Sequence, residues 1–429
     1  MPAKVWLGID LGTSGCRICA INADKQIVAE IQSPFPPEQP YPKPLQQWQI
    51  VAKLLGQCIA ELNDVEIAAI AIDATSGSVM LCDTDGQPLT EMLLYNDTRA
   101  NLQSQQIKAI APVESGAHGV GSGLAKLLYL QQQNTLPANY YLTHQADWIT
   151  SQLSGKVGIT DYNNALKSGF DPQSMQWPDW LTALVPKKHL PTVVAPGTIL
   201  GEMSLTLIQK LKLDQTVAPK IIAGTTDSLA AFIATGAHQR GDGVTSLGST
   251  LVLKLISDKA VFAPEFGIYS HKLGNHWLVG GASNSGGAVI RQFFTDPQIA
   301  AFTAQIDLNQ TPPDYYPLPD IGERFPVADP QMSPQLTPRP ASDSLYLHGL
   351  MNGIANIEQQ GYAKLQHCCG TALKSVRSVG GGAANPVWTQ IRQQKLAVPF
   401  LSVFNTQAAY GTALLAKDGL HIFDKVSHG

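Results

Sequence analysis

Cysteine, charge and long apolar runs are all scarce in this chain, and each scarcity excludes a class of protein. Six cysteines among 429 residues are too few for a disulfide-stabilised scaffold. No stretch approaches the roughly 20 apolar residues that span a bilayer, so we expect no membrane partner. The formal net charge is only −4 and no long basic run is present, which argues against nucleic acid as a partner.

Several motifs of well-known sites are also missing. The chain has no GxxxxGK[ST] sequence for a Walker-type P-loop and no GxSxG sequence for a serine hydrolase. The triple-glycine run at 380–382 does not complete a dinucleotide-binding fingerprint, because the third glycine of that motif and its acidic residue further along the chain are both missing. Cys16 and Cys19 form a CxxC pair in a strand-like segment, so their side chains face opposite ways and we expect packing rather than metal or redox chemistry.

The segments that are present predict an α/β protein of two or three domains. Apolar residues make up 44% of the chain, enough for a sizeable core, and a domain takes roughly 150 residues. Strand-like segments surround the turn LGTSG near the start and LGST in the middle, which hints at two similar halves with one turn each at a common cleft. Helical spacing at 45–62 and a buried strand leading to Asp73 follow the first hairpin.

Two further features complete the organisation. Proline-rich segments at 33–44 and 305–345 predict exposed loops. The chain passes almost at once from Met1 into the strand-like VWLGI, so we expect no signal peptide and a soluble cytoplasmic protein.

Two aspartates lie where strand-like segments meet glycine-containing turns. Asp10 precedes LGTSG, whose backbone N–H groups suit an anion, and a bridging Mg²⁺ would reconcile its carboxylate with a phosphate. The alternative for Asp10 is an Asx-turn that closes the hairpin. Asp227 separates a strand-like segment from an apolar helix, where it is either the helix N-cap or a general base. The residues alone leave both pairs of interpretations open.

Segments along nearly the whole chain, taken in order, resemble the motifs of the FGGY family of carbohydrate kinases, which is part of the actin/hexokinase/Hsp70-like ATPase superfamily. They are GIDLGTSGCR (8–17), YNDTRA (95–100), SGLAKLLYL (122–130), DWITSQLSG (147–155) with TDYNNALKSGFD (160–171), AGTTDS (223–228), TSLGST (245–250), GERFP (322–326) and GGGAANPVW (380–388). The resemblance implies an α/β fold of two actin/hexokinase-like, ribonuclease H-like domains around an ATP cleft. It places them at 1–234 and 235–429, with the last helix, about 407–425, packing back on the first domain.

The same resemblance implies a role for individual residues. Asp227 is the general base and contacts the sugar, while Asp10 holds Mg²⁺ and also contacts the sugar. The implied ATP ligands are the first turn (Gly12, Thr13, Ser14), the second turn (Gly248, Ser249, Thr250) and the adenosine side (Gly381, Gly382, Asn385, Trp388). The residue pattern alone favours a core position for Trp388, because its helix is amphipathic. ATP, Mg²⁺ and a small-molecule sugar are therefore the implied ligands.

The segment that follows the strand ending at Asp73 bears on the sugar. Xylulose kinases of the family usually carry a GQMHG-like sequence there, whereas this chain has DATSGSV at 73–79. That sequence resembles the DATCS-type segment of D-ribulose kinases and a shortened group of cyanobacteria and plants that was first labelled xylulose-kinase-like. The resemblance implies phosphorylation of the terminal primary hydroxyl of D-ribulose, with Ser76 contacting the sugar.

Three other functions compete with this expectation. One is a kinase for D-xylulose or another polyol, and another is a degenerate sugar-binding protein, which intact Asp10 and Asp227 argue against. The third is an ATPase switch of the actin/Hsp70 type without a sugar substrate. Such a switch would not need the sugar-side motifs YNDTRA and GERFP, so their presence counts against it.

Overall fold

The chain forms two compact units, each built around its own six-stranded β-sheet. The computed structural model describes residues 2–36, 43–62, 65–213 and 217–423. Among these, the first unit comprises the residues before Ala237 together with those from Asn405 onward, and the second unit is Ala237–Phe404. None of the helices in these ranges combines the length and the apolar character that crossing a bilayer requires.

The elements of both units are numbered here in chain order. The strands are β1 (Ala3–Leu11), β2 (Gly15–Ile21), β3 (Ile27–Pro34), β4 (Val65–Ala74), β5 (Val79–Cys82), β6 (Tyr141–His144), β7 (Ile159–Asp161), β8 (Thr192–Val194), β9 (Ile199–Glu202), β10 (Lys220–Thr226), β11 (Asp242–Leu247), β12 (Leu251–Ser257), β13 (Ile268–Leu273), β14 (His276–Ser283), β15 (Ser375–Val379) and β16 (Phe400–Leu401). The α-helices are α1 (Pro44–Glu61), α2 (Asn101–Ile110), α3 (Gly123–Gln133), α4 (Gln145–Ser154), α5 (Tyr162–Leu166), α6 (Asp179–Thr182), α7 (Leu205–Lys210), α8 (Asp227–Ala234), α9 (Gly287–Arg291), α10 (Asp296–Thr303), α11 (Asp343–Cys369), α12 (Pro386–Leu396) and α13 (Ala408–Asp418).

The sheet of the first unit has the strand order β3-β2-β1-β4-β10-β9. β1, β2 and β3 form an antiparallel meander, while β1, β4 and β10 are parallel neighbours. β1 and β4 have nearly continuous apolar sequences because helices cover both of their faces. The predicted first hairpin, the helix at 45–62 and the buried strand leading to Asp73 are thereby confirmed.

The sheet of the second unit repeats this pattern, with the order β13-β14-β12-β11-β15-β16. β11, β12, β14 and β13 pair antiparallel in succession, and β11, β15 and β16 are parallel. The predicted second hairpin is confirmed as β11 and β12. From 305 to 342 the chain contains no helix or strand, as its prolines predicted, but α11 begins at Asp343 and Leu318, Glu323 and Phe325 are buried, so the segment is not an exposed loop throughout. Of the other proline-rich segment, β3 takes Ser33 and Pro34, α1 begins at Pro44, and 37–42 lie outside the described residues.

Helix α13 is part of the first unit and packs against it backbone to backbone. A Cβ atom at Gly8 in β1 would overlap the carbonyl oxygen of Ala409, and one at Gly411 would overlap the carbonyl oxygen of Ala230 in α8. Only glycine permits such close approach. α13 therefore packs closely against the strand that carries Asp10 and against the helix that begins at Asp227. Residues 424 and 425 of the predicted last helix lie outside the described residues.

Candidate active site

Three aspartates lie at one edge of the first unit's sheet. Asp10 in β1 is directly opposite Asp73 in β4, and β4 also pairs in parallel with β10. Asp227 follows β10 as the first residue of α8, and its charge acts on both other carboxyl groups. Neighbouring parallel strands end at the same edge of a sheet, where α/β proteins bind their ligands. This edge brings together two of the predicted site residues and one aspartate to which the sequence assigned no role.

These carboxyl groups differ in burial, and burial shifts the pKa values of Asp73 and Asp10. Asp73 is fully enclosed, and burial together with the negative charge of Asp10 raises its pKa well above the usual value. The Thr412 hydroxyl donates a hydrogen bond to Asp73, which lowers the pKa but only partly offsets the rise. Burial also raises the pKa of Asp10, opposed by a side-chain hydrogen bond with Asp73; the charge of Asp227 raises it further and the Arg17 guanidinium lowers it. Neighbouring like charges disfavour joint ionisation, so the pair loses its first proton more readily from the more accessible Asp10.

The local structure tests the structural interpretations of Asp10 and Asp227, and their roles as metal ligand and general base stay predictions. The N-cap of α8 is Thr226, and the Oδ1 atom of Asp227 accepts a hydrogen bond of 2.6 Å from the backbone N–H of Ser228. The N-cap interpretation of Asp227 is therefore wrong. Asp10 lies within β1, and the hairpin turn is closed by the N–H of Gly12 donating to the carbonyl of Gly15 over 3.0 Å. That backbone bond, rather than an Asx-turn, closes the hairpin.

The donor set near Asp10 is compatible with Mg²⁺. This ion takes one or two carboxylates and completes its octahedron with waters and substrate phosphate oxygens. Within the described ranges, no group of three or more His, Cys, Asp or Glu side chains is arranged to hold a metal ion. Asp10 is partly exposed, and the Oδ1 atom of Asp73 is buried without a hydrogen-bond partner in the described part of the chain. The residues thus fit an ion held through Asp10 and shared with phosphate and water.

The loop that follows β4 contains Ser76, the predicted sugar contact. The hydroxyls of Thr75 and Ser78 lie 2.5 Å apart and Gly77 has a φ of +84°, which together form a tight turn. The Oγ atom of Ser76 is buried and has no hydrogen-bond partner in the described residues. A buried hydroxyl without a partner is costly, and a ligand oxygen would satisfy it.

A buried lysine holds this loop in place. Lys126 in α3 is fully enclosed, and its Nζ atom donates to the carbonyl oxygens of Gly77 (2.7 Å), Leu94 (2.6 Å) and Gly121 (3.3 Å). Burial lowers the pKa of Lys126 to about 7, and the charge of Asp97 opposes this effect. Lys126 is the lysine of SGLAKLLYL, so this motif positions the loop that carries Ser76.

The charged residues of two other motifs form ion pairs or hydrogen bonds within their own units. Arg99 of YNDTRA is 2.8 Å from both Asp97 and Glu91. Glu323 of GERFP is buried in the second unit, where it accepts hydrogen bonds from the Ser283 hydroxyl and from the backbone N–H of Asn284, at 2.5 and 2.7 Å. These contacts give both motifs a structural part in their units.

The predicted ATP ligands of the first unit lie in the turn between β1 and β2, where Thr13 and Ser14 are exposed. In the second unit, the turn 248–250 and the glycine run 380–382 lie side by side. A Cβ atom at Gly380 would lie 2.7 Å from the carbonyl oxygen of Leu247, and the N–H of Gly287 donates to Gly248 over 2.8 Å. The structure thus brings together two groups of predicted ligands within the second unit.

Asn385 and Trp388 make protein contacts with their polar groups. Asn385 is the N-cap of α12, where it accepts from the N–H of Trp388 and donates to the Thr303 hydroxyl, each at 3.0 Å. Trp388 is 3% exposed, and its indole N–H donates to the carbonyl of Met351 over 3.1 Å. These contacts favour the core position that the residue pattern indicated for Trp388. Its contact with ATP stays a prediction.

Sequence reasoning assigned no role to Asp73, Lys126 or Lys167, although all three lie at the site. The Nζ atom of Lys167 is 3.4 Å from the carbonyl oxygen of Ser76, and Lys167 is close enough to Asp227 for their charges to interact. Lys126 and Lys167 belong to recognised motif segments, but nothing in the sequence shows that residue 167 meets residue 76. That contact depends on the register of distant segments, which no local spacing reveals.

The chain resembles known sugar kinases in both its fold and its sequence. The structure matches solved sugar kinases of the actin/hexokinase-like fold, among them a xylulose kinase from Brucella ovis, with a TM-score of 0.84, 20% identity and coverage of 98% of this chain and 92% of that one. The models of the N-terminal and C-terminal domains of the FGGY family of carbohydrate kinases match residues 5–234 and 243–417. The chain therefore belongs to the FGGY family of carbohydrate kinases.

Characterised relatives with different sugars resemble the chain to a similar degree. The xylulose kinase of Escherichia coli K12 is 23% identical over 90% of this chain and 84% of its own length. The gluconokinase of Bacillus subtilis strain 168 is 22% identical over 98% of this chain and 89% of its own length. Sugar kinases of this family use ATP, generally with a divalent metal. The comparisons support a sugar kinase, and the particular sugar needs a separate argument.

Proposed function

We propose that the protein transfers the γ-phosphoryl group of ATP to the terminal primary hydroxyl of D-ribulose and forms D-ribulose 5-phosphate. The observation that carries the choice of sugar is the segment 73–79, where a short loop with the unsatisfied Ser76 hydroxyl stands in place of the GQMHG-like sequence of xylulose kinases. Lys167 lies near both Ser76 and the candidate base, because its Nζ atom is 3.4 Å from the Ser76 carbonyl oxygen and its charge interacts with that of Asp227.

In this proposal Asp227 is the general base. Its carboxylate accepts the proton of the sugar hydroxyl as the oxygen–phosphorus bond forms and the bond from the γ-phosphorus to ADP breaks. A loose transition state deprotonates the attacking hydroxyl late, so a carboxylate is basic enough. Asp227 accepts a hydrogen bond from Ser228, which fixes its carboxylate at the start of α8.

Asp10 is the proposed Mg²⁺ ligand and a sugar contact. Bound Mg²⁺ neutralises charge on the phosphates. Asp73 stays neutral and is held by Thr412 of α13, so it limits the negative charge beside Asp10 and keeps the strand ends fixed. The contacts of ATP with the glycine-containing turns remain predictions from the sequence.

D-Xylulose is the rival substrate, because the relatives that match the chain include several xylulose kinases. The two ketopentoses differ in the configuration of one hydroxyl, and the unpartnered Ser76 hydroxyl offers a different polar contact from the glutamine, methionine and histidine of a GQMHG-like segment. Ser76, rather than overall similarity to the relatives, favours D-ribulose.

The test is MgATP consumption by the purified protein with D-ribulose, D-xylulose, glycerol, gluconate and no sugar. We expect the highest kcat/KM with D-ribulose, and Ser76→Ala should raise the KM for D-ribulose without changing the KM for ATP. Faster reaction with D-xylulose would overturn the assignment of the sugar. ATP consumption that ignores every sugar would instead support the ATPase switch and contradict the kinase proposal.

A further inference from the structure

Lys167 is a cation at the candidate sugar site, and no side chain in the described part of the protein forms an ion pair with it. It follows α5, and its Nζ atom lies 3.4 Å from the carbonyl oxygen of Ser76. Within the described residues this is the one hydrogen bond of its ammonium group, and no carboxylate oxygen lies within 4.0 Å of Nζ. An ammonium group has three N–H donors, so two remain for a ligand.

Lys167 lies beside the loop that carries Ser76 and near Asp227, the proposed general base. The side chain remains exposed to solvent, yet enough atoms surround its ammonium group that burial lowers its pKa, while the charge of Asp227 raises it. The stem of Lys167 also packs at Gly77, because a Cβ atom on that glycine would lie 3.5 Å from Cδ of Lys167. Lys167 therefore borders both the loop that carries Ser76 and the carboxylate of Asp227.

The neighbouring lysine has a different function. Lys126 uses its N–H donors on three backbone carbonyls and is fully enclosed, so it fixes the loop. Lys167 makes one long bond and reaches solvent. Of these two cations beside the same loop, only Lys167 has the exposure and the spare donors that contact with a substrate requires.

We infer that Lys167 is a substrate-binding residue whose ammonium group donates hydrogen bonds to oxygen atoms of the sugar held between Ser76 and Asp227. The inference rests on the proposed function, because it uses the same site. Its donors complement the acceptors already present, which are the carboxylates of Asp10 and Asp227 and the carbonyl of Ser76. A polyhydroxylated ketose has both the hydroxyl donors and the oxygen acceptors that such a set needs.

The test compares Lys167→Met, which keeps the apolar stem, and Lys167→Arg, which keeps the charge, with the wild-type enzyme. Lys188→Met is the matched control, because Lys188 is also an exposed lysine that donates to one backbone carbonyl, that of Ala138 at 2.8 Å. Each protein is assayed with the sugar of the panel that the wild type phosphorylates fastest. We expect Lys167→Met to raise the KM for that sugar about 10- to 100-fold, the range for loss of a charged hydrogen bond.

A structural role would not produce that selective effect. We expect the KM for ATP in Lys167→Met to change far less than the KM for the sugar, Lys167→Arg to recover part of the sugar affinity, and Lys188→Met to match the wild type. An unchanged KM for the sugar in Lys167→Met would overturn the inference and leave the kinase proposal standing. Lys167→Met with equally impaired binding of ATP and sugar would also overturn it.

The same series separates failure of the proposed function from failure of this inference. If D-xylulose replaces D-ribulose as the best sugar, the proposed sugar is wrong and Lys167 is still tested with D-xylulose. If the wild type phosphorylates none of the sugars, calorimetric titration of the wild type with each sugar decides. Binding that Lys167→Met weakens would support the inference, and the absence of any binding would overturn both proposals.

Discussion

At the scale of single residues, neighbouring carboxyl groups at one sheet edge have different environments. Asp73 is enclosed and hydrogen-bonded by Thr412, whereas Asp10 and Asp227 are partly exposed. Burial disfavours ionisation, so it raises the pKa of the enclosed Asp73 well above its usual value, with the charge of Asp10 as the second cause. One sheet edge therefore carries an acid that resists ionisation beside two more accessible carboxyl groups.

The proposed base leads to a prediction about turnover. Asp227→Asn keeps the size of the side chain and an acceptor for the Ser228 N–H, but it removes the proton acceptor. Loss of a positioned general base costs about 10²- to 10⁴-fold, so kcat should fall by that factor while ATP binding is retained. Steady-state kinetics with the best sugar and fluorescence titration with a nucleotide analogue measure the two quantities.

The control for this variant is Asp296→Asn. Asp296 is also the first residue of an eight-residue helix, α10, so the substitution has a similar local effect on a helix start. We expect wild-type kcat for Asp296→Asn. If Asp227→Asn retained wild-type kcat per folded molecule, Asp227 would have only a structural role.

At the scale of elements, α13 determines where two site-bearing elements lie. Its glycine Gly411 meets the backbone of α8 at Ala230 and Ala234, and its Ala409 carbonyl meets Gly8 of β1. Thr412 of the same helix donates to Asp73 of β4. A helix far along the chain thus contacts all three elements that place the aspartates, which links its packing to the geometry of the site.

This packing predicts an effect of adding one methyl group. Gly411→Ala places a Cβ atom into backbone atoms of α8 that cannot move independently, so α13 and α8 must separate. Overpacking of this kind costs about 1–3 kcal/mol. We expect a lower thermal midpoint and a lower kcat, since α8 begins at Asp227. The measurements are differential scanning calorimetry and the sugar-dependent assay.

Gly56→Ala is the matched control for that substitution. Gly56 lies in α1, where a Cβ atom would be 3.7 Å from Cδ2 of Leu211, an ordinary contact. Alanine favours a helix over glycine by about 1 kcal/mol, so this variant should be as stable as the wild type or more stable. Equal behaviour of the two variants would show that the close approach at Gly411 has no energetic consequence.

The sequence predicts the elements of this fold better than their contacts. Both hairpins, α1, β4 and the start of the helix after Asp227 follow from local apolar spacing and turn residues. The placement of Asp73 opposite Asp10 depends on the register of β1 and β4, and the contact of Lys167 with Ser76 joins segments distant in sequence. Local patterns determine which residues face a core, but they do not determine which distant residues meet.

At the scale of the whole molecule, a buried polar cluster in the first unit predicts how stability depends on pH. Asp161 is enclosed, and burial together with the charge of Asp147 raises its pKa to about 7. It also accepts hydrogen bonds from the N–H groups of Asn163 and from the side chain of Asn164, which oppose that rise. His144 packs in the same cluster, 2.8 Å from Asp147.

The sign of the pH effect follows from the raised pKa. In the unfolded chain Asp161 ionises near pH 4, whereas in the folded protein it holds its proton up to about pH 7. Its contribution to stability is therefore fully present below about pH 4 and is lost as the pH rises from about 4 to 7. Above that range both states are ionised, and the remaining cost of burying the charge no longer changes with pH.

Asp161→Asn removes this dependence, because asparagine is neutral at every pH. The stability of the variant relative to the wild type should rise between pH 4.5 and 7.5, by about 4 kcal/mol at most for a shift of about three pKa units. Thermal midpoints at a series of pH values measure the difference. A constant difference between Asp161→Asn and the wild type would mean that Asp161 is ionised in the folded protein, and the polar cluster would then have to stabilise a buried negative charge.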